Sequence, residues 1–135
     1  MNAKSFLMQY GSAKARAELL QEQIDNLRDK RDELQSFQMQ ERVQTSLKPD
    51  KIGELVARIA DLQLELIEAE ADALQVMLEV SAVIDKVPDP TCQLLLHRRY
   101  VLLIKWTDIA NEMHYSYTGI MAVHRRALSK VEKLI

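Results

Sequence analysis

Leu95-Leu96-His97-Arg98-Arg99-Tyr100, Trp106-Thr107-Asp108-Ile109-Ala110, Tyr115-Ser116 and Ala127-Leu128 are the stretches whose reading decides this fold. They spell short helices joined by a tight turn, the last of them basic on its outer side. Three helices are expected after Pro90, over residues of about 91–103, 106–113 and 117–134. In the second, Ile109, Ala110 and Met113 share a face, and Ala110 is small enough for two helices to cross there. Ser116 is the expected cap of the third. Its inward residues are Ile120, Val123, Ala127, Leu128 and Val131, which turns Thr118, Met121, Ala122, Arg125, Arg126 and Ser129 outward.

Upstream, Val87-Pro88-Asp89-Pro90 ends one helix and opens another. Asp89 suits the cap and Pro90 the first turn, where its missing N–H is not needed. A domain boundary is therefore expected at 88–90, with residues 1–87 and 88–135 as the two parts. Before it lies a seam with alternating 3-and-4 spacing: Ile52, Leu55, Ile59, Leu62, Leu66, Ala69, Ala73, Val76, Val80, Val83 and Val87. A helix of this length runs on the order of 55 Å and cannot bury its stripe alone. The first half of the chain offers Ala13, Ala17, Leu20, Ile24, Leu27 and Leu34 at similar spacing, with Arg31 and Gln38 at core positions. Gln44-Thr45-Ser46-Leu47-Lys48-Pro49-Asp50 should reverse or kink the chain, with Asp50 as the next cap. Met1 to Tyr10 reads as an amphipathic lead-in, and Gly11-Ser12 as a break after it. The expected fold class is all-α: a long helical hairpin or coiled coil over 13–87, then a three-helix, helix-turn-helix domain.

Composition agrees with long helices. There are three Gly and three Pro in 135 residues, and Leu, Ala, Glu, Gln and Lys dominate. No run of about 18 apolar residues exists, so no membrane span is expected. The start lacks a basic region followed by an apolar one, and the single cysteine builds no disulfide framework; a cytoplasmic protein is expected. Cys92 reads as a small buried hydrophobe. His97, His114 and His124 are too scattered for zinc, so no metal and no cofactor are expected. No Gly-rich phosphate loop and no nucleophile with its base are present, which argues against an enzyme.

Charge divides the chain. Residues 50–87 carry three Lys/Arg against nine Asp/Glu, whereas 88–135 carry seven against four. A nucleic-acid surface, if the chain has one, is therefore expected on the C-terminal third and not on the acidic middle. On the last helix, Tyr117, Thr118, Met121 and Ala122 occupy the turns that would meet base edges. Ala122 and Ser129 are small enough to let the backbone approach a groove. Arg125, Arg126, Lys130 and Lys133 suit phosphates, which fix register and carry most of the affinity. The competing readings are a plain three-helix packing unit and, for Arg98, Arg99, Arg125 and Arg126, a solvated face. Trp106 and Tyr115 read as packed residues. His114 holds the turn position that glycine often takes, which calls for left-handed backbone.

Residues 94–134 resemble region 4 of bacterial sigma factors, in the order Leu-Leu-x-x-Arg-Tyr, Ile-Ala, Tyr-Ser, Ala-Leu. Over most of its length, with Val43-Gln44-Thr45-Ser46 and His124–Leu128 adding to the likeness, the chain resembles the phage-encoded late-gene regulators related to ArpU and RinA. That resemblance implies a sequence-specific DNA-binding regulator of phage or prophage transcription, with contact to host RNA polymerase. It places base contacts at Tyr117, Thr118, Met121 and Ala122, and a backbone contact at Arg126. Where sigma factors carry charged and amide side chains, this chain has Tyr, Thr, Met and Ala, so a phage-specific site is expected rather than a standard promoter element. Apart from the resemblance, the long seam starting at Ile52 suggests that the N-terminal helices form a homodimer through residues 13–87 or hold another partner. Two other readings stand beside it: a DNA-recognition protein of packaging that resembles small terminase subunits, and a coiled-coil adaptor without DNA binding.

Overall fold

The computed structural model describes residues 1–40 and 49–135, the side chains of residues 38, 40 and 49 excepted. Its elements are all helical: α1 (Ala3–Leu7), α2 (Gln9–Gln40), α3 (Pro49–Asp85), α4 (Pro90–Leu96) continuing into a π-helical turn (His97–Val101), α5 (Trp106–Glu112) and α6 (Tyr117–Glu132). No described helix is long and apolar enough to cross a membrane. Of the turn expected over 44–50, residues 44–48 lie outside the described residues, as does the side chain of Gln38, while 49 and 50 already belong to α3. Asp50 falls in the first turn of α3, not at its cap. There the carboxylate still faces the positive end of the helix.

Gly11-Ser12 does not break the chain. α2 already begins at Gln9, and the interruption is at Met8. Even there the amide of Met8 donates to Lys4 O at 3.0 Å and that of Ser12 to Met8 O at 3.1 Å, so helical bonding carries through. A glycine inside a helix costs about 1 kcal/mol relative to alanine. Thirty-one other residues of α2 outweigh that.

The chain forms two compact units, residues 15–71 and residues 1–14 with 72–135. In the first, Leu20 and Ile24 of α2 are buried with Ile59, Leu62 and Ala69 of α3, and Ala17, Leu27 and Leu66 pack beside them. These are seam positions of both helices. Arg31, at a core position, is half-buried and reaches Asp32 at 3.2 Å.

The second unit has a larger core. Val80, Ile84 and Val87 from the end of α3 join Cys92, Leu95, Leu96 and Tyr100 of α4 and its π turn, Ile109 and Ala110 of α5, and Ile120, Val123, Ala127 and Val131 of α6. α1 adds Ala3 and Leu7. The amide of Ala3 donates to Glu132 Oε1 at 2.6 Å, which ties α1 to the end of α6. The lead-in is therefore part of a core, which its brevity conceals in the sequence. Cys92 is fully buried, as expected, and burial pushes its thiol pKa up.

Local chemistry sets the helix ends. Asp89 Oδ1 accepts from the amides of Thr91 and Cys92, with Pro90 in the first turn. The π turn ends α4 through Leu102 N–H to His97 O at 3.0 Å and Ile104 N–H to Arg98 O at 3.0 Å. Leu103 there has φ of 58°, left-handed backbone where glycine is usual. His114 takes the same conformation, φ 62°, in the turn between α5 and α6.

Candidate nucleic-acid interface

α6 is presented by the turn before it. Ser116 caps it, its Oγ accepting from Gly119 N–H at 3.0 Å. A β-carbon at Gly119 would stand 3.1 Å from that Oγ and 3.4 Å from the Tyr115 ring. Glycine early in a helix is otherwise a poor choice, and here it leaves room for the cap. The turn itself closes through Tyr115 N–H to Ala110 O at 2.9 Å. Ala110 is buried in the core on α5, the helix that packs against α6.

Ile120, Val123, Ala127 and Val131 are buried and Leu128 is partly so, as the periodicity predicts. Opposite them, Tyr117, Thr118, Ala122, Arg125, Arg126, Ser129 and Lys133 are exposed. Met121 and Lys130 are half-buried, Met121 against the core. α6 thus brings all nine sequence-derived positions onto itself or its C-cap, Lys133. Tyr115, expected to pack, is 40% exposed. It ends the turn instead of entering the core, and its ring lies beside Gly119.

Arg126 differs from Arg125. Its Nη2 lies 3.5 Å from Asp89 Oδ2. Partial burial pushes the Asp89 carboxyl up, but the Cys92 and Thr91 amides and Arg126 outweigh it and hold the pKa below the usual carboxylate range. One carboxylate therefore caps α4 and orients a guanidinium of α6. The pairing of Asp89 with Arg126 leaves no trace in sequence spacing, since the two are 37 positions apart.

The arginines before α5 act inside the protein. Arg98 Nη1 meets Glu112 Oε2 at 2.6 Å. Arg99 lies 4.8 Å over the Trp106 ring and donates to Ile104 O at 3.0 Å. Such contacts are worth about 0.5–1 kcal/mol each at partly exposed sites, enough to fix the approach of α5. Trp106 in turn lies edge-on to His124, ring centroids 4.6 Å apart.

His124 is the polar residue in the core that sequence reasoning missed. Its Nε2 and Tyr100 Oη hydrogen-bond at 2.6 Å. Burial, with Lys4 and Arg99 nearby, pushes its pKa down to about 4, so the ring is neutral at pH 7. Its place on the inward face beside Val123 and Ala127 was the available signal. Comparisons with family models, with curated proteins and with solved structures return no match for this chain.

Proposed function

We propose that α5, the His114 turn and α6 act as a helix-turn-helix that lays α6 in the major groove of double-stranded DNA. On this reading the chain is a sequence-specific transcriptional regulator of phage or prophage genes, and the N-terminal helices form a hairpin that serves assembly. The observation that carries it is the division of α6. Its buried side is wholly engaged in the core, while Tyr117, Thr118, Ala122, Arg125, Arg126, Ser129 and Lys133 stay exposed. A capped N-terminus that presents Tyr117, Thr118 and Ala122, followed by the cations from Arg125 on, suits bases first and phosphates next. Contact with host RNA polymerase rests on the resemblance to sigma region 4 alone.

Selection of bound sites from a random DNA pool, followed by titration on the selected duplex, tests the proposal. The affinity should fall steeply with salt, by roughly 100-fold between 50 and 200 mM if four cations of α6 each meet a phosphate. Arg125→Ala with Lys133→Ala should weaken all sequences alike, whereas Thr118→Ala should change the preferred sequence. Arg125 is the cleaner probe, because Arg126→Ala also removes the partner of Asp89. No enrichment from the pool, or salt-independent binding, would favour a protein-binding adaptor instead.

A further inference from the structure

α3 carries two apolar stripes, not one. The first, through Ile59, Leu62 and Ala69, is buried against α2 within its unit. The second recurs at the same 3-and-4 spacing, starting from Ala57 and Ala60 and continuing through Leu64, Ile67, Ala71, Leu74 and Leu78. At 100° per residue it lies on nearly the opposite side of the helix. Leu64 and Ile67 are 64% and 63% exposed, and Leu74 and Leu78 are each 54% exposed. Isolated exposed leucines are ordinary, but a stripe of about three heptads, roughly 30 Å long, is a coiled-coil seam without its other half.

We propose that this face of α3 docks against the same face of a second copy of the chain, parallel and in register. The residues flanking the stripe argue for that occupant. In-register pairing sets Gln63 against Glu68 of the second copy and Glu70 against its Gln75. Val56 then meets Asp61, and Met77 meets Ala82. No two carboxylates face one another, and both glutamates meet an amide that can donate to them. The antiparallel pairing that matches Leu64 with Leu74 and Ile67 with Ala71 instead sets Glu68 against Glu68 and Glu70 against Glu70, and the one shifted by a heptad, which leaves Leu78 unmatched, sets Asp61 against Glu68. A helix this rich in carboxylates is thus arranged to tolerate its own copy in one orientation. This inference stands apart from the DNA reading and would hold equally for a protein-binding module.

Light scattering on the full chain at micromolar concentration should give twice 15.6 kDa. Leu64→Glu with Leu74→Glu should weaken self-association on the order of 100-fold or more and leave the helical circular dichroism intact, since both sites are exposed in the single chain. Ala71→Cys, in the middle of the stripe, should form an interchain disulfide on mild oxidation, while buried Cys92 stays reduced. That cross-link reads the arrangement without depending on a disruptive variant. A wild-type mass other than twice the monomer overturns the proposal. So does a dimer that survives both glutamates, or one that Ala71→Cys cannot cross-link. DNA affinity is measured separately on the same variants, so loss of one property leaves the other legible.

Discussion

α3 and α6 are both amphipathic, yet they turn different chemistry outward. α6 backs a polar and cationic face with Ile120, Val123, Ala127 and Val131. α3 backs its seam with a second row of aliphatic residues, more than half exposed from Leu64 to Leu78. A helix with one apolar side is finished when that side is covered. A helix with two is finished only when both are, and α2 covers one. The two helices differ on the outward face, not the inward one: polar and cationic on α6, aliphatic on α3.

The sharpest way to break this contrast is to truncate one residue from each kind of face. Ile120→Ala should cost about 2–5 kcal/mol of unfolding free energy in urea, because a fully buried side chain leaves a cavity. Ile67→Ala, in conditions where the chain is monomeric, should change stability by no more than about 0.5 kcal/mol. Equal losses would mean that the outer stripe is already covered within the chain.

A smaller effect sharpens the account of the α6 core. His124 is held neutral by burial, with a folded pKa of about 4 against a reference of 6.5. The unfolded chain takes up the proton that the fold refuses. Stability from this residue is thus complete above about pH 6.5 and is lost as pH falls toward 4, by on the order of 3 kcal/mol in all. Carboxylates titrate in the same range, so the informative quantity is the stability gap between wild type and His124→Gln. That gap should shrink, or reverse sign, between pH 7 and 4.5; a constant gap would show that the folded ring accepts the proton.

The smallest expected effect concerns the turn that presents α6. His114 is exposed and has φ of 62°. His114→Gly should raise stability by about 0.5–1 kcal/mol, visible as a higher melting temperature, because glycine adopts this backbone without strain. A lower melting temperature would mean that the imidazole makes a contact worth more than the strain.

Much of this architecture was readable from periodicity. The seam from Ile52 to Val87 is buried or half-buried throughout, and Ile120, Val123, Ala127, Leu128 and Val131 of α6 face inward as their spacing predicts, although His124 and Met121 join them. The caps at Asp89 and Ser116 follow from side-chain oxygens placed just before helix starts. What escaped has physical reasons. A single-seam reading of α3 assigns every remaining position to solvent, so Leu64, Ile67, Leu74 and Leu78 disappeared among the carboxylates between them. Contacts between residues far apart in sequence leave no periodic trace; the ion pair of Asp89 with Arg126 and the bond of Tyr100 to His124 are of this kind. α1 is too short for its period to show, though Phe6 and Leu7 marked it as apolar. The residues proposed to meet DNA were legible as a face, because a face needs only the buried side to be known.

The hydrogen bond from Ala3 to Glu132 joins positions 129 residues apart. Helices such as α2 and α3 can form as they leave the ribosome, from contacts within a few turns. α1 has no such option, because it packs against α6, the last of the described helices. During synthesis its first turn must therefore remain available, neither aggregated nor claimed by another surface, until α6 has been translated.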